Sequence, residues 1–187
     1  MIKYRLFLAL PLPNKLISFI QKLEAEIDKK IGFRVPWILP RNLHLTIIFL
    51  GWQNQETLYK IDQMLTDYPF GINELNKPFD CLIKKLDYGP PGSQRMIWLY
   101  LDNDERLEKL HKTLKTNLNL NEIKIKEEDR QFLPHINLAR LKKINKYLPE
   151  IKKNLDLKIV FNKLVLFESK LYSTGAQYYP LKEVILK

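Results

Sequence analysis

The chain has 187 residues, 45% apolar and 28% charged, enough for one good core or two small lobes sharing an interface, with no low-complexity segment. Cys81 is the only cysteine, which excludes an intrachain disulfide and fits a reducing, cytoplasmic setting. The net charge of +10 is uneven, +3 over residues 1–93 and +7 over 94–187, so the second half attracts anions; nucleic acid is the first partner to weigh against plain lysine solvation.

Residues 4–10 read as a first strand, stopped by Pro11 and Pro13. Lys3 and Arg5 before the apolar run 6–12 imitate a signal peptide. The prolines, the missing small-residue cleavage site and the lack of any run of about 18 apolar residues argue against export and membrane spanning. Residues 14–30 carry Leu16, Phe19, Ile20, Leu23 and Ile27, the stripe of an amphipathic helix, and Gly32 closes it. Pro36 and Pro40 hold an extended link with Trp37. A strand follows over 42–51, then a helix over 55–65 on Leu58, Ile61 and Leu65. Residues 70–89 read as strand-like around Phe79, Leu82 and Leu86, and Gly89-Pro90-Pro91-Gly92-Ser93 is a turn into a strand over 95–101. Next come a helix over 104–119, a polar segment over 121–131, a strand over 132–140 and a basic segment over 144–155, helix or loop. Strands over 158–168 and 178–186, joined at Ser173-Thr174-Gly175, end the chain, and the class is α+β.

Two of these strands carry one histidine each. In the first, Leu43, Leu45, Ile47 and Phe49 alternate with His44 and Thr46, so the polar pair shares one face and the apolar set packs behind it. In the second, His135 and Asn137 share a face, with Ile136 and Leu138 behind. The histidines are 91 residues apart. Sliding the chain on itself by that offset lays 5–10 on 96–101, and Leu16, Phe19, Leu23 and Ile27 on Leu107, Leu110, Leu114 and Leu118. Strand, helix and histidine strand recur without a gap. The expectation is a single domain over 1–187, made of two related lobes about an approximate two-fold axis. Antiparallel or mixed sheets would face each other across a central cleft, one histidine face on each side.

Hydrolysis of a phosphodiester takes one proton off water and puts another on the departing oxygen. Histidine, with an ordinary pKa of about 6.5, suits both tasks, and two are needed on opposite sides. Each has a small polar neighbour two positions on, about 7 Å away at a rise of roughly 3.3 Å per residue. The Thr46 hydroxyl and the Asn137 amide are so placed to donate to non-bridging phosphate oxygens. A lone histidine on a strand is most often structural, but two in matching frames are hard to explain as packing. Catalytic zinc takes three protein ligands, and neither strand carries Cys, Asp or Glu beside its histidine. His111, the third histidine, falls on Ile20 in the repeat, at the edge of a packed helix face. No glycine-rich phosphate loop and no Ser-His-Asp grouping is present, which removes kinase and serine hydrolase chemistry.

At these residues the sequence resembles the bacterial and archaeal RNA 2′,3′-cyclic phosphodiesterases, also called 2′-5′ RNA ligases, among the two-histidine phosphoesterases. Their mark is a pair of His-x-Thr-x motifs. The resemblance runs nearly end to end: 5–10 resembles the opening strand, 42–51 the first motif, 130–140 the second, and Glu168-Ser169 through Tyr178 and Leu181 the closing segment. It implies hydrolysis of a terminal 2′,3′-cyclic phosphate on RNA to a 2′-phosphomonoester, with 2′-5′ joining of RNA ends as the reverse, and no metal or nucleotide cofactor. It casts His44 as proton donor to the leaving oxygen and His135 as the acceptor that activates water; the residues alone leave the two interchangeable. Asn137 departs from the family pattern, which has Thr there. Arg140 resembles the family's phosphate-side arginine, although strict alternation sends it to the Ile136 face unless the strand ends or bulges first. Phe132 is a candidate to stack on a base, and a core phenylalanine is its plainer reading. The implied partner is an RNA end bearing a cyclic phosphate, such as that of a tRNA half, met by a cytoplasmic monomer without membrane contact. Two other functions stay open: a phosphodiesterase on another small cyclic nucleotide, and an RNA-binding module without catalysis.

Overall fold

Chain-breaking and capping residues set the element boundaries. The computed structural model describes residues 2–102, 104–125, 131–141, 148–173 and 175–187. In chain order they form β1 (Lys3–Pro11), α1 (Asn14–Ile31), β2 (His44–Asn54), α2 (Gln55–Thr66), β3 (Phe79–Gly89), β4 (Met96–Leu101), α3 (Glu105–Leu120), β5 (His135–Arg140), β6 (Lys153–Phe161), β7 (Lys163–Tyr172) and β8 (Gly175–Ile185). α1 opens directly after Pro13 and ends at Gly32, which takes the left-handed conformation at φ 70°. Asn54 caps α2, its side chain accepting from the Thr57 amide at 2.8 Å. Asp104 does the same for α3, accepting from the amides of Arg106 and Leu107.

The strands form an eight-stranded sheet in the order β6-β3-β4-β5-β2-β1-β7-β8, antiparallel at every pairing. The two repeats meet at its centre, where β2 and β5 touch at one pair, Leu45 with Ile136. β1 and β4 flank them, so each lobe is half of the sheet. One face carries the core. Leu6, Leu8, Leu45, Leu99 and Ile136 pack there with Leu16, Leu23 and Ile27 of α1 and Leu107, Leu110, Leu114 and Leu118 of α3. Full burial of each such leucine is worth about 1.5–3 kcal/mol. Phe7, Trp98 and Tyr100 are out of phase with that set and stand outside the main core cluster.

Alternation breaks three positions past the histidine in each histidine strand, and once more at Leu50 in β2, where Phe7 pairs with Phe49 and Leu6 with Gly51. Ala9 pairs with Thr46 and Leu8 with Ile48, which leaves Ile47 as an extra residue. Trp98 pairs with Asn137 and Ile97 with Ala139, which leaves Leu138 as an extra residue. Ile47 and Leu138 are mates at the 91-residue offset. Each of these two bulges buries two successive residues, Ile47 with Ile48 and Leu138 with Ala139, and reverses the phase beyond them. Phe49, expected behind the strand, is therefore 52% exposed on the histidine face. Arg140, its mate, is exposed on the histidine face of β5 by the same device.

Two expected strands are redrawn. No strand forms before Phe79, because residues 70–78 hold a turn and a short 3-10 helix at Asn73–Asn76. The strand expected over 158–168 is two strands parted at Asn162. Leu155, Leu157, Ile159 and Phe161 alternate along β6, and Asn162 interrupts that phase before Leu164 and Leu166 resume it in β7. Of the polar segment over 121–131, residues 126–130 lie outside the described residues, as do 144–147 of the basic segment, whose end from Lys153 lies in β6.

Candidate active site

His44 is the first residue of β2 and His135 the first of β5. Antiparallel pairing of Leu45 with Ile136 sets Asn137 beside His44 and Thr46 beside His135, all four on one face. Both rings are seated alike. His44 Nδ1 lies 2.7 Å from the Asn42 carbonyl oxygen, and His135 Nδ1 lies 2.8 Å from that of Leu133. A carbonyl only accepts, so Nδ1 carries the proton of each neutral ring and Nε2 is left to exchange protons. Asn42 and Leu133 are again mates at the offset. The buried Asn42 side chain donates to the Ala176 carbonyl at 2.7 Å and ties the seat of His44 to β8. Thr46 Oγ1 lies 2.9 Å from His44 Nε2, and the hydroxyl donates to the neutral ring.

The surroundings of the two rings differ. Phe7, Tyr178 and Phe167 enclose His44, with ring centroids 4.9, 5.2 and 6.4 Å away. Burial there pushes its pKa down to about 4; the Asn42 carbonyl opposes this and the His135 charge adds to it. An empty site therefore holds a neutral His44 at pH 7. His135 instead lies stacked on Trp98, the offset mate of Phe7, at 3.6 Å between centroids. Gly89 makes room for that indole, since an added Cβ would overlap the Trp98 side chain.

Arg140 reaches the His44 side of the face. Burial raises the Tyr178 phenol against the opposing charges of Arg140 and Arg5, which puts both guanidinium groups near the ring that borders His44. Arg5 also donates to Ser169 Oγ at 3.3 Å. The Asn137 Oδ1 is buried and has no hydrogen-bond partner among the described residues. Phe132 is packed partly against the core and stacks on His111 at 4.6 Å. That pair borders a cavity of about 500 Å³ that also touches His135, Thr46 and Phe49.

The structure thus gathers His44, Thr46, His135 and Asn137, brings Arg140 to their face, and leaves Phe132 beside them on the His135 side. Asn42, Phe7, Phe49, Trp98, Phe167 and Tyr178 belong to the site without having been singled out by sequence. Phe7 and Trp98 were legible as mates on the offset strands. Asn42 seats His44 through a backbone carbonyl, which every residue has, so nothing in its identity marked that role. Among the described residues no group of three or more His, Cys, Asp or Glu could hold a metal ion, and no helix is long and apolar enough to cross a membrane.

The family model of the AKAP7 2′5′ RNA ligase-like domain matches residues 4–172. The chain belongs to this family. An RNA 2′,3′-cyclic phosphodiesterase of Thermotoga maritima is similar at 27% identity over 173 residues, 88% of each chain. One from Thermus thermophilus is 26% identical over 188 residues, covering 98% of this chain and 90% of its own. Among solved structures, a protein of Thermus thermophilus superposes with a TM-score of 0.77 at 26% identity over 97% of each chain. Escherichia coli LigT complexed with 3′-AMP superposes at 0.72 over 99% of each chain, and its 21% identity shows the shared fold alone. The 2′-5′ RNA ligase-like fold is thus matched over nearly the whole chain.

Proposed function

We propose that this protein hydrolyses the terminal 2′,3′-cyclic phosphate of RNA to a 2′-phosphomonoester, with His44 and His135 as its acid and base. What supports this most is the common seat of the two rings, each pinned at Nδ1 so that Nε2 carries the chemistry. His135 Nε2 takes a proton from water as the water oxygen bonds to phosphorus. The bond from phosphorus to the 3′ oxygen breaks, and that oxygen takes the proton of His44 Nε2. Proton exchange with solvent then resets both rings. Thr46, Asn137 and Arg140 donate to the non-bridging oxygens, where charge builds in the transition state.

His44 is neutral in the empty site, so it acts as an acid only after the substrate's own negative charge raises its pKa. Loading the proton is therefore coupled to binding the phosphate. With the 5′ hydroxyl of a second RNA end in place of water, the same bond changes would leave a 2′-5′ link, and their reversal would cut one. Relatives named RNA 2′,3′-cyclic phosphodiesterases support the RNA substrate.

The test is an RNA oligonucleotide ending in a 2′,3′-cyclic phosphate, incubated in chelator beside a cyclic mononucleotide. The expected product is a 2′-phosphate from the RNA, formed without added metal. Turnover of the mononucleotide alone would point to a small-molecule phosphodiesterase, and RNA binding without turnover to a non-catalytic module. A 3′-phosphate product would overturn the proposed bond cleavage.

A further inference from the structure

The two lobes part company where the link between helix and histidine strand crosses to the opposite lobe. After α1, Trp37 forms an isolated antiparallel bridge with Ala139, and the Ile38 amide donates to the Leu138 carbonyl at 2.8 Å. Trp37 Nε1 also donates to the Asp28 carboxylate of α1 at 3.1 Å. Phe33, Trp37 and Ile38 are thereby packed, partly buried, against the core on the side of the β5 bulge. Their mates at the offset are Lys124, Glu128 and Asp129, none of them apolar, and the last two lie outside the described residues. At the matching place, between α3 and the bulge of β2, there is instead the cavity of about 500 Å³, lined by Ile47, Ile48, His111, Lys115, Gln131 and Phe132 and open to His135. That volume lies in the range of small-molecule sites.

Two features say what it would hold. The Phe132 and His111 rings are stacked face to face, 9° from parallel, and the outer ring face of that stack supplies a flat wall. Lys115 is half-buried and makes no ion pair among the described residues, whereas Lys109 and Lys112 of the same helix pair with Glu74 and Glu108. A partly desolvated ammonium that no described carboxylate pairs with favours an anion beside it. A flat wall and a cation side by side match a nucleotide.

We propose that this cavity binds the nucleotide preceding the terminal one in an RNA substrate, its base against the Phe132–His111 wall and its phosphate at Lys115. The proposal rests on the reading of an RNA end as substrate and adds the direction of the strand. The RNA leaves the reaction centre past His135, because the His44 side is closed by Phe7, Phe167 and Tyr178.

The test is calorimetric titration of the full chain with a dinucleotide ending in a 2′-phosphate and with the matching mononucleotide 2′-phosphate. The dinucleotide should bind about tenfold tighter, within the range for one added stacked base. Its affinity should also fall more steeply with salt, by a logarithmic slope of about 0.7 for one further phosphate contact. Lys115→Ala, on a partly exposed helix position where alanine is a good helix former, should remove the extra slope and most of the advantage. Equal affinities in the parent, or an advantage that survives both Lys115→Ala and Lys115→Glu, overturns the proposal. Hydrolysis of an RNA end bearing a 2′,3′-cyclic phosphate is followed in parallel; its absence would sink the catalytic reading, while the ratio of the two affinities still decides the cavity.

Discussion

In both lobes a histidine opens a central strand, bonds from Nδ1 to the carbonyl two residues back, and is followed three positions on by a bulge. In one lobe the ring is walled in by Phe7, Phe167 and Tyr178; in the other it lies on Trp98 beside an open cavity. The common frame fixes which nitrogen holds the backbone carbonyl and which is left for proton exchange. The unlike surroundings bear on what that nitrogen carries, since burial lowers the His44 pKa and leaves its Nε2 without a proton in the empty site. The pairing register also differs, since Thr46 stands opposite Ala9 while Asn137 stands opposite Trp98, two places away in the repeat. A slip of two residues keeps every side chain on its face, whereas a slip of one would have buried the histidine. In register, then, the lobes have diverged by a step that keeps both histidines on one face.

The largest expected effect removes the shared feature. His44→Ala and His135→Ala should each lower kcat on a cyclic-phosphate RNA end at least about a hundredfold, with the fold retained by circular dichroism. A near-native rate in either folded variant, measured under chelation, would mean that the matching frames are not a catalytic pair. Asn137, the position where the repeats differ in chemistry, comes next. Asn137→Ala should cost roughly 2–4 kcal/mol of transition-state stabilisation in kcat/KM, the scale of one lost donor. Asn137→Thr should restore activity, and Asn137→Asp should be worse than alanine because it sets a carboxylate against phosphate. Parent-like kcat/KM in both the Ala and Asp variants would detach Asn137 from the phosphate.

A smaller effect isolates the His135 side. Gly89→Ala places a methyl where the Trp98 indole lies and should cost about 1–3 kcal/mol of stability in chemical denaturation, as overpacking does. It should lower turnover as well, because Trp98 supports His135. Unchanged stability would show that the indole has room to move.

Much of this was legible before the structure. The offset of 91 exposed two lobes because strand and helix patterns repeat with buried side chains in the same places, Leu16 with Leu107 and Leu23 with Leu114. His44, Thr46, His135 and Asn137 followed from period-two alternation. Alternation failed at Phe49 because a bulge at Ile47 leaves little mark among apolar residues, where one more isoleucine continues the pattern. The closing strands were misdrawn for a related reason: an apolar run reads as one strand until its partners are known, and only pairing with β3 and β1 separates β6 from β7. Enclosure of His44 by Phe167 and Tyr178 depends on contacts more than 120 residues away in the chain, which local pattern does not carry.

The smallest expected effect is on stability against pH. His44 has a folded pKa of about 4, below the ordinary 6.5, so the stability it confers is present above pH 6.5 and lost as pH falls toward 4. Glu24 runs the other way. Burial, helped by the charge of Asp28, raises it to about 7, so its contribution is present below pH 4.5 and lost as pH rises through 7. His44→Gln should flatten the acid side of the stability curve and Glu24→Gln the neutral side. Curves that run parallel to the parent's between pH 4 and 7 would contradict the burial of either group.

The most direct measurement is an NMR titration of the His44 ring nitrogens, in the free protein and with a mononucleotide 2′-phosphate bound. The matched seat predicts a proton on Nδ1 of the neutral ring. Its enclosure predicts a pKa near 4 in the empty site, and the proposed acid role predicts a clear rise when phosphate is bound. A His44 that titrates near 6.5 when free, carries its neutral proton on Nε2, or does not respond to phosphate would contradict the division of labour between the two lobes.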